Sequence, residues 1–283
     1  MQIYYVYDSI SDRQRSDILF KGDLIVFRQL PALIEMNRKL ALLIKTHMSE
    51  KQPFKTEAQF NQEIARLQQQ FQASTEIRHQ FRLALEQAGV DLQRNYADHL
   101  FLRCVPPKQY RNQRFRGHIG YHRDTWGSNI QHQINWWSPV YPVTEQNTIA
   151  FYPDYWKKPI ANTSDRWSYE AFCKARKAAG KDKSGSEQIN YPYAPEILET
   201  VDDRSQTAVV IEPGDLLCFS SAHLHASIPN ASTMARYSTE LRTFNLEDLE
   251  YQRMPENVDN AGTEPHYEWF RRLSDDAQLN NQP

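Results

Sequence analysis

The hydrophobic period changes once along this chain, from helical to extended, and that change limits the fold more than any other feature. Between residues 31 and 89 apolar side chains recur every three or four positions. Phe60, Ile64, Leu67 and Phe71 form one stripe, opened by Thr56 as N-cap, and Ile77, Phe81 and Leu85 form a second that stops near Gly89. From His99 onward the pattern is that of strands, in HLFLRCV, NIQHQINWWSPV, TAVVIEPGDLLCF and ARYSTELRTFN, with Pro213-Gly214-Asp215 marking a turn. Helices gathered ahead of strands indicate an α+β fold rather than alternating α/β units, and no repeat at a period of about 20 to 50 residues suggests a solenoid. The expected architecture is a jelly-roll-like β core backed by N-terminal helices.

A single domain over 1–283 is expected, with 1–95 as helical support and 96–250 as the jelly-roll core. Within the support region, Ile3, Tyr5 and Tyr7 and then Leu24–Phe27 read as strands separated by a polar stretch from Ser9 to Arg15. Residues 152–205, rich in Tyr, Trp, Lys and Ser and containing KARKAAGKDKSGSE, show no strand period and read as an insertion or lid. The polar 254–283 tail reads as peripheral.

Composition excludes several classes. With 35 acidic residues against 33 Lys and Arg, net charge is -2, and the lysines of 171–184 read as a solvated face; no nucleic-acid partner is expected. No stretch approaches a membrane span, and Met1–Ser9 lacks a signal peptide's basic start and apolar run, so no membrane partner and a cytoplasmic location are expected. Three scattered cysteines, Cys104, Cys173 and Cys218, fit neither a disulfide framework nor a Cys-x-x-Cys metal site. Only 9 glycines accompany 15 Tyr, 13 Phe and 6 Trp, which leaves little for phosphate-binding glycine loops and supplies many rings to core and pocket.

The strongest chemical signal is His122-Arg123-Asp124. Two ligands separated by one residue at a strand end point the same way and can take adjacent corners of one metal ion. Downstream, SSAHLHASIPN offers His223 or His225 as the third ligand. Two histidines and one carboxylate leave three positions open on Fe(II). Arg236 and Ser238 share a strand face and can together hold a carboxylate, the competing role of Arg236 being an ion pair with Glu240 or Asp124. On the strand from Ile130 to Trp137, Gln133 and Asn135 give one face an unusually polar character.

Taken in order, HRD at 122–124, NTIAFYP at 147–153, IEPGDLLCF at 211–219, HASIPN at 225–230 and Arg236 resemble the Fe(II)/2-oxoglutarate-dependent oxygenases, and within them the phytanoyl-CoA dioxygenase-like branch. The resemblance covers roughly residues 95–245. It implies a double-stranded β-helix (jelly-roll, cupin-like) core, with His122, Asp124 and His225 as iron ligands, Arg236 on the outer carboxylate of 2-oxoglutarate and Ser227 as its helper. Asn135 is a candidate for the inner carboxylate, and Trp126, Gln133, Tyr152 and Trp156 are candidates for substrate contact. The implied cofactors are Fe(II), 2-oxoglutarate and O2, and the implied reaction is hydroxylation or another oxidation of an unactivated C–H bond. Asp154-Tyr155-Trp156 departs from the Gly-Ser-His turn of that branch.

The expected partner is a small-molecule substrate, a polar metabolite or natural-product intermediate, acted on by a monomer or homodimer. Two other readings use the same residues: a cupin-type dioxygenase or isomerase that does not employ 2-oxoglutarate, and a non-catalytic small-molecule-binding barrel.

Overall fold

The computed structural model describes residues 1–48, 57–107, 120–179 and 189–279. In chain order, strands are β1 (Ile3–Val6), β2 (Leu24–Phe27), β3 (Asn95–Ala97), β4 (Phe101–Val105), β5 (Ile134–Pro139), β6 (Ile149–Phe151), β7 (Thr207–Val209), β8 (Leu216–Ser220), β9 (His225–Ser227), β10 (Arg236–Asn245) and β11 (Arg271–Arg272). Helices are α1 (Asp12–Leu19), α2 (Pro31–His47), α3 (Glu57–Ala73), α4 (Thr75–Gln87), α5 (Thr125–Ser128), α6 (Tyr169–Ala179) and α7 (Leu246–Glu250).

The described residues form an α+β fold, with two sheets and a helical layer. One sheet runs β1-β2-β8-β5-β10-β3-β11, with β4 also pairing β10, and the other runs β7-β6-β9. Strand alternation divides the large sheet into two working faces. Ile25, Phe27, Ile134, Trp136, Leu216, Cys218, Tyr237 and Leu241 face outward and share an apolar core with the stripes of α2, α3 and α4, including Met36, Phe60, Leu67, Phe81 and Leu85. Leu24, Val26, Trp137, Leu217 and Phe219 face the other way, against Ile149, Phe151 and Val209 of the small sheet. On β10 the face opposite Tyr237 and Leu241 carries Arg236, Ser238, Glu240 and Arg242, a polar column facing the inter-sheet space.

The sequence-derived helical stripes are buried on α3 and α4; Thr56 lies outside the described residues. Helix α4 ends at Gly89, whose φ of 87° suits a residue without Cβ, and the Gly89 and Val90 amides close onto the Glu86 and Leu85 carbonyls. At the expected turn, Gly214 has φ 98°, and its neighbour Asp215 accepts from the amides of Glu212 and Gln29, tying β8 to the end of β2.

Three expectations are corrected. The polar spacer before β2 contains helix α1, opened by a capping box in which the Ser11 hydroxyl accepts from the Gln14 amide and Gln14 returns to the Ser11 amide. The 152–205 stretch is not merely a solvated insertion: Tyr155, Ile160 and Val201 join Trp126 and Leu224 in a core of their own, and part of the lysine-bearing run forms α6. Residues 180–188 of that run lie outside the described residues. Nor is the tail peripheral. It adds β11 to β3 and buries Tyr267 and Phe270 against Phe244. The insertion and the tail gain their order from packing, which a polar local composition does not reveal.

One buried histidine of this tail-supported core sets an acid limit. His132 is 3% exposed, lies edge-on to Phe244 and near Tyr267, and its Nε2 has no hydrogen-bond partner among the described residues. Burial lowers its pKa to about 4 from 6.5. The unfolded chain therefore binds a proton in this window that the folded chain excludes. Stability is complete above about pH 6.5 and falls as pH drops toward 4, by about 3 kcal/mol from this residue alone. Denaturant titrations across that window should show a shallower acid slope for His132→Phe than for the parent; equal slopes would remove His132 as the cause.

Candidate metal and carboxylate site

His122 reaches the site through a backbone pairing. His122 and His225 form an isolated antiparallel bridge in which each amide donates to the other's carbonyl at 3.0 Å. Such a pair places both side chains on one face, and the imidazole centroids lie 4.2 Å apart. Two residues on, Asp124 occupies the N-cap position of α5 without spending its side chain on the cap. Its carboxylate turns to the histidines, with Oδ2 3.5 Å from His225 Nε2. One ligand atom from each of His122, Asp124 and His225 lies within 4.8 Å of the others.

The surrounding hydrogen bonds prepare these atoms. His122 Nδ1 lies 2.8 Å from the Gly120 carbonyl and His225 Nδ1 lies 3.0 Å from the His223 carbonyl. Donation from Nδ1 leaves each Nε2 lone pair available, the tautomer that a metal-binding histidine needs. Asn135 Nδ2 donates to Asp124 Oδ2, while Asn135 Oδ1 accepts from Ser221 Oγ at 2.6 Å and from Gln133 Nε2. These two donors fix the amide so that its NH2 must face the aspartate. Burial lowers the His225 pKa to about 3, helped by His122, which keeps the ring neutral. Burial pushes the Asp124 carboxyl upward, but His122, His225, Arg242 and the Asn135 hydrogen bond together hold it below the ordinary value. Two imidazoles with Nδ1 on backbone carbonyls and a carboxylate held ionised fit a divalent cation.

The second part of the site is a buried cation. Ser227 shares the His225 face of β9, and Arg236 opens β10. Arg236 donates from Nη2 to Ser227 Oγ at 3.3 Å and from Nη1 to the Thr148 carbonyl at 3.1 Å, and its Nε has no partner among the described residues. It pairs with neither sequence-derived alternative: Glu240 is taken by Arg103 in a two-point pair at 2.6 Å, and Asp124 faces His225 and Arg242. Burial lowers the Arg236 pKa to about 10. An Arg buried without a carboxylate among the described residues fits a carboxylate-bearing ligand.

The structure thus brings His122, Asp124, His225 and Asn135 together, and Arg236 with Ser227. It separates the others. His223 is excluded from the cluster because both ring nitrogens face backbone carbonyls, of Ser220 at 3.0 Å and Gly22 at 3.1 Å. Ser238 turns to Glu240 rather than joining Arg236. Gln133 is wholly buried in the amide network behind Asn135, Trp126 is 2% exposed with its indole N–H on Asp259, and Tyr152 is 4% exposed with its hydroxyl on Gln206. Trp156 packs on His223 and borders a different cleft with Phe20 and Lys21. The cleft over the cluster is lined instead by Trp167, Tyr193, Arg242 and Trp269. Strand alternation from Arg236 reaches Arg242 in three steps of two and was the signal available for it; nothing local marks Trp167, Tyr193 or Trp269.

No family model matches this chain, and no curated protein does. Among solved structures, EvdO2 from Micromonospora carbonacea var. aurantiaca, complexed with 2-oxoglutarate, is 12% identical over 85% of this chain and 93% of its own, with a TM-score of 0.44. SnoN, a non-haem α-ketoglutarate-dependent epimerase from nogalamycin biosynthesis, is 12% identical over 95% of this chain and 93% of its own, also at 0.44. EvdMO1 matches over 60% of this chain, which spans only 33% of that protein, at 14% identity and a TM-score of 0.35. Among the described residues, no helix is long and apolar enough to cross a membrane.

Proposed function

We propose that the chain is a non-haem Fe(II)/2-oxoglutarate-dependent oxygenase that hydroxylates or otherwise oxidises an unactivated C–H bond of a small polar metabolite or natural-product intermediate. The observation that carries this reading is the combination of two features: three ligand atoms within 4.8 Å of one another, and Arg236, with no ion pair among the described residues and hydrogen-bonded to Ser227 two residues beyond His225. His122, Asp124 and His225 would hold the iron, with one ligand atom each. When bound, Fe(II) with 2-oxoglutarate supplies dioxygen-driven oxidation coupled to decarboxylation of the cosubstrate to succinate. The chain's own part is orientation and exclusion. Arg236 and Ser227 hold the outer carboxylate, Asn135 fixes the Asp124 carboxylate, and Phe151 and Phe219, packed on His225, keep water from its ring.

The two-sheet core is read as the double-stranded β-helix of the phytanoyl-CoA dioxygenase-like branch, forming one domain that works as a monomer or homodimer in the cytoplasm. A cupin-type enzyme or binding barrel without 2-oxoglutarate would need another carboxylate-bearing ligand to account for Arg236. Anaerobic titration of the Fe(II)-loaded protein with 2-oxoglutarate should give a saturable visible charge-transfer absorption, and glutarate, which lacks the chelating keto acid, should not. Absence of that band with iron bound would overturn the cosubstrate assignment.

Asn135 provides a further check. Asn135→Leu removes the donor that orients Asp124, and metal affinity should fall by about 10- to 100-fold, with the fold retained. Calorimetry with Mn(II) measures this directly; an unchanged affinity would show that Asp124 holds its orientation without Asn135.

A further inference from the structure

At the opposite end of the β10 column from Arg236, Arg242 is built differently. Its Nε and its backbone amide both donate to the buried Asp98 carboxylate, at 2.5 and 2.8 Å. The guanidinium carbon lies 5.7 Å from the ring centroids of both Phe101 and Trp269, which restrict its plane. Its Nη1 is 3.8 Å from Asp124 Oδ1, beyond hydrogen-bond distance, and the Nη edge has no hydrogen-bond partner among the described residues. That edge borders the cleft shared with His122, Asp124, Trp167, Tyr193 and Trp269.

We propose that Arg242 anchors an oxyanion, a carboxylate or a phosphate ester, on a substrate whose apolar body lies against Trp167, Tyr193 and Trp269. This rests on the metal-site reading above. An arginine serving only Asp98 would present its two-nitrogen fork to that carboxylate, as Arg103 does to Glu240. Here Asp98 takes the Nε side and leaves the Nη pair, the geometry that grips a second oxyanion. The outer carboxylate of the cosubstrate does not account for the contact: Arg236 and Arg242 lie six strand residues apart, about 20 Å between their Cα atoms, so the carboxylate held by Arg236 is not the oxyanion held by Arg242.

The test is calorimetric binding to the anaerobic Mn(II)–2-oxoglutarate complex of the full chain, with 3-phenylpropionate, its primary amide and phenyl phosphate as probes. The acid should bind roughly 10- to 100-fold more tightly than the amide. Arg242→Met should abolish the difference and Arg242→Lys should keep part of it. The double variant Asp98→Asn/Arg242→Met, which leaves no orphaned carboxylate, guards against misfolding of the single one. The phosphate arm separates sources: tighter than the acid assigns phosphate esters, weaker assigns carboxylic acids. Equal affinity for acid and amide, no binding of either, or loss of 2-oxoglutarate rather than of the acid in Arg242→Met would overturn the proposal. If Mn(II) binds but 2-oxoglutarate does not bind the parent protein, the cosubstrate reading fails instead, and acid-over-amide discrimination on the Mn(II) form still decides the role of Arg242.

Discussion

Arg236→Met is expected to weaken 2-oxoglutarate binding by roughly 30- to 3,000-fold, the range set by removing one partner of a buried, hydrogen-bonded charge pair. It is expected at the same time to make the unliganded protein no less stable, and up to about 4 kcal/mol more stable. The opposite signs follow from the same fact. Without ligand, Arg236 is a desolvated cation whose Nε is unsatisfied and whose pKa burial has lowered, so an apolar side chain of similar length relieves a cost. The substitution orphans little: the Thr148 carbonyl also accepts the Ile228 amide at 2.8 Å. Calorimetric titration and thermal denaturation of the same sample read both effects. A variant that loses stability and keeps 2-oxoglutarate would make Arg236 a structural residue and remove the main support for the cosubstrate.

What made the site legible was short-range geometry. The His-x-Asp spacing and the i, i+2 relation of His225 to Ser227 are properties of extended backbone, and they survive into the structure because both segments lie on or beside strands. Alternation failed at His223, which sits in the turn before β9 rather than in the strand, so the period of two does not extend back to it. Aromatic residues near the motif in sequence were poor guides to the cleft. Trp126 is one residue beyond the α5 N-terminus and rotates into the core, whereas Trp269 arrives from the tail through the β11–β3 pairing. Long-range pairing of that kind leaves no local period to read. The capping box of α1 was the opposite case, a local signal overshadowed by the strands on either side.

Arg123, the residue between the two proximal ligands, carries the largest stability effect expected of any single change here. Its side chain is 1% exposed and pairs with Asp259, 4% exposed, at 3.0 Å. It also donates to the carbonyls of Ala222, Tyr155 and Lys158, while Asp259 accepts from the Trp126 indole and the Ile160 amide. One ion pair thus joins the His122–Asp124 turn, the turn before β9, the start of the 152–205 segment and the tail. Arg123→Met leaves the Asp259 charge buried without its cation and should cost about 3 to 5 kcal/mol. Asp259→Asn keeps a single acceptor oxygen, enough for the Trp126 indole or the Ile160 amide but not both, and strands Arg123, so it should cost a comparable amount. The double variant should cost clearly less than the sum of the two, since neither charge is then left alone. Because Arg123 holds the backbone between His122 and Asp124, divalent-metal affinity should fall in both single variants and recover least where Arg123 is missing. Additive losses in urea titration, or metal affinity untouched by Arg123→Met, would show that His122 and Asp124 are held in place without Arg123, by the His122–His225 bridge and the Asn135 hydrogen bond.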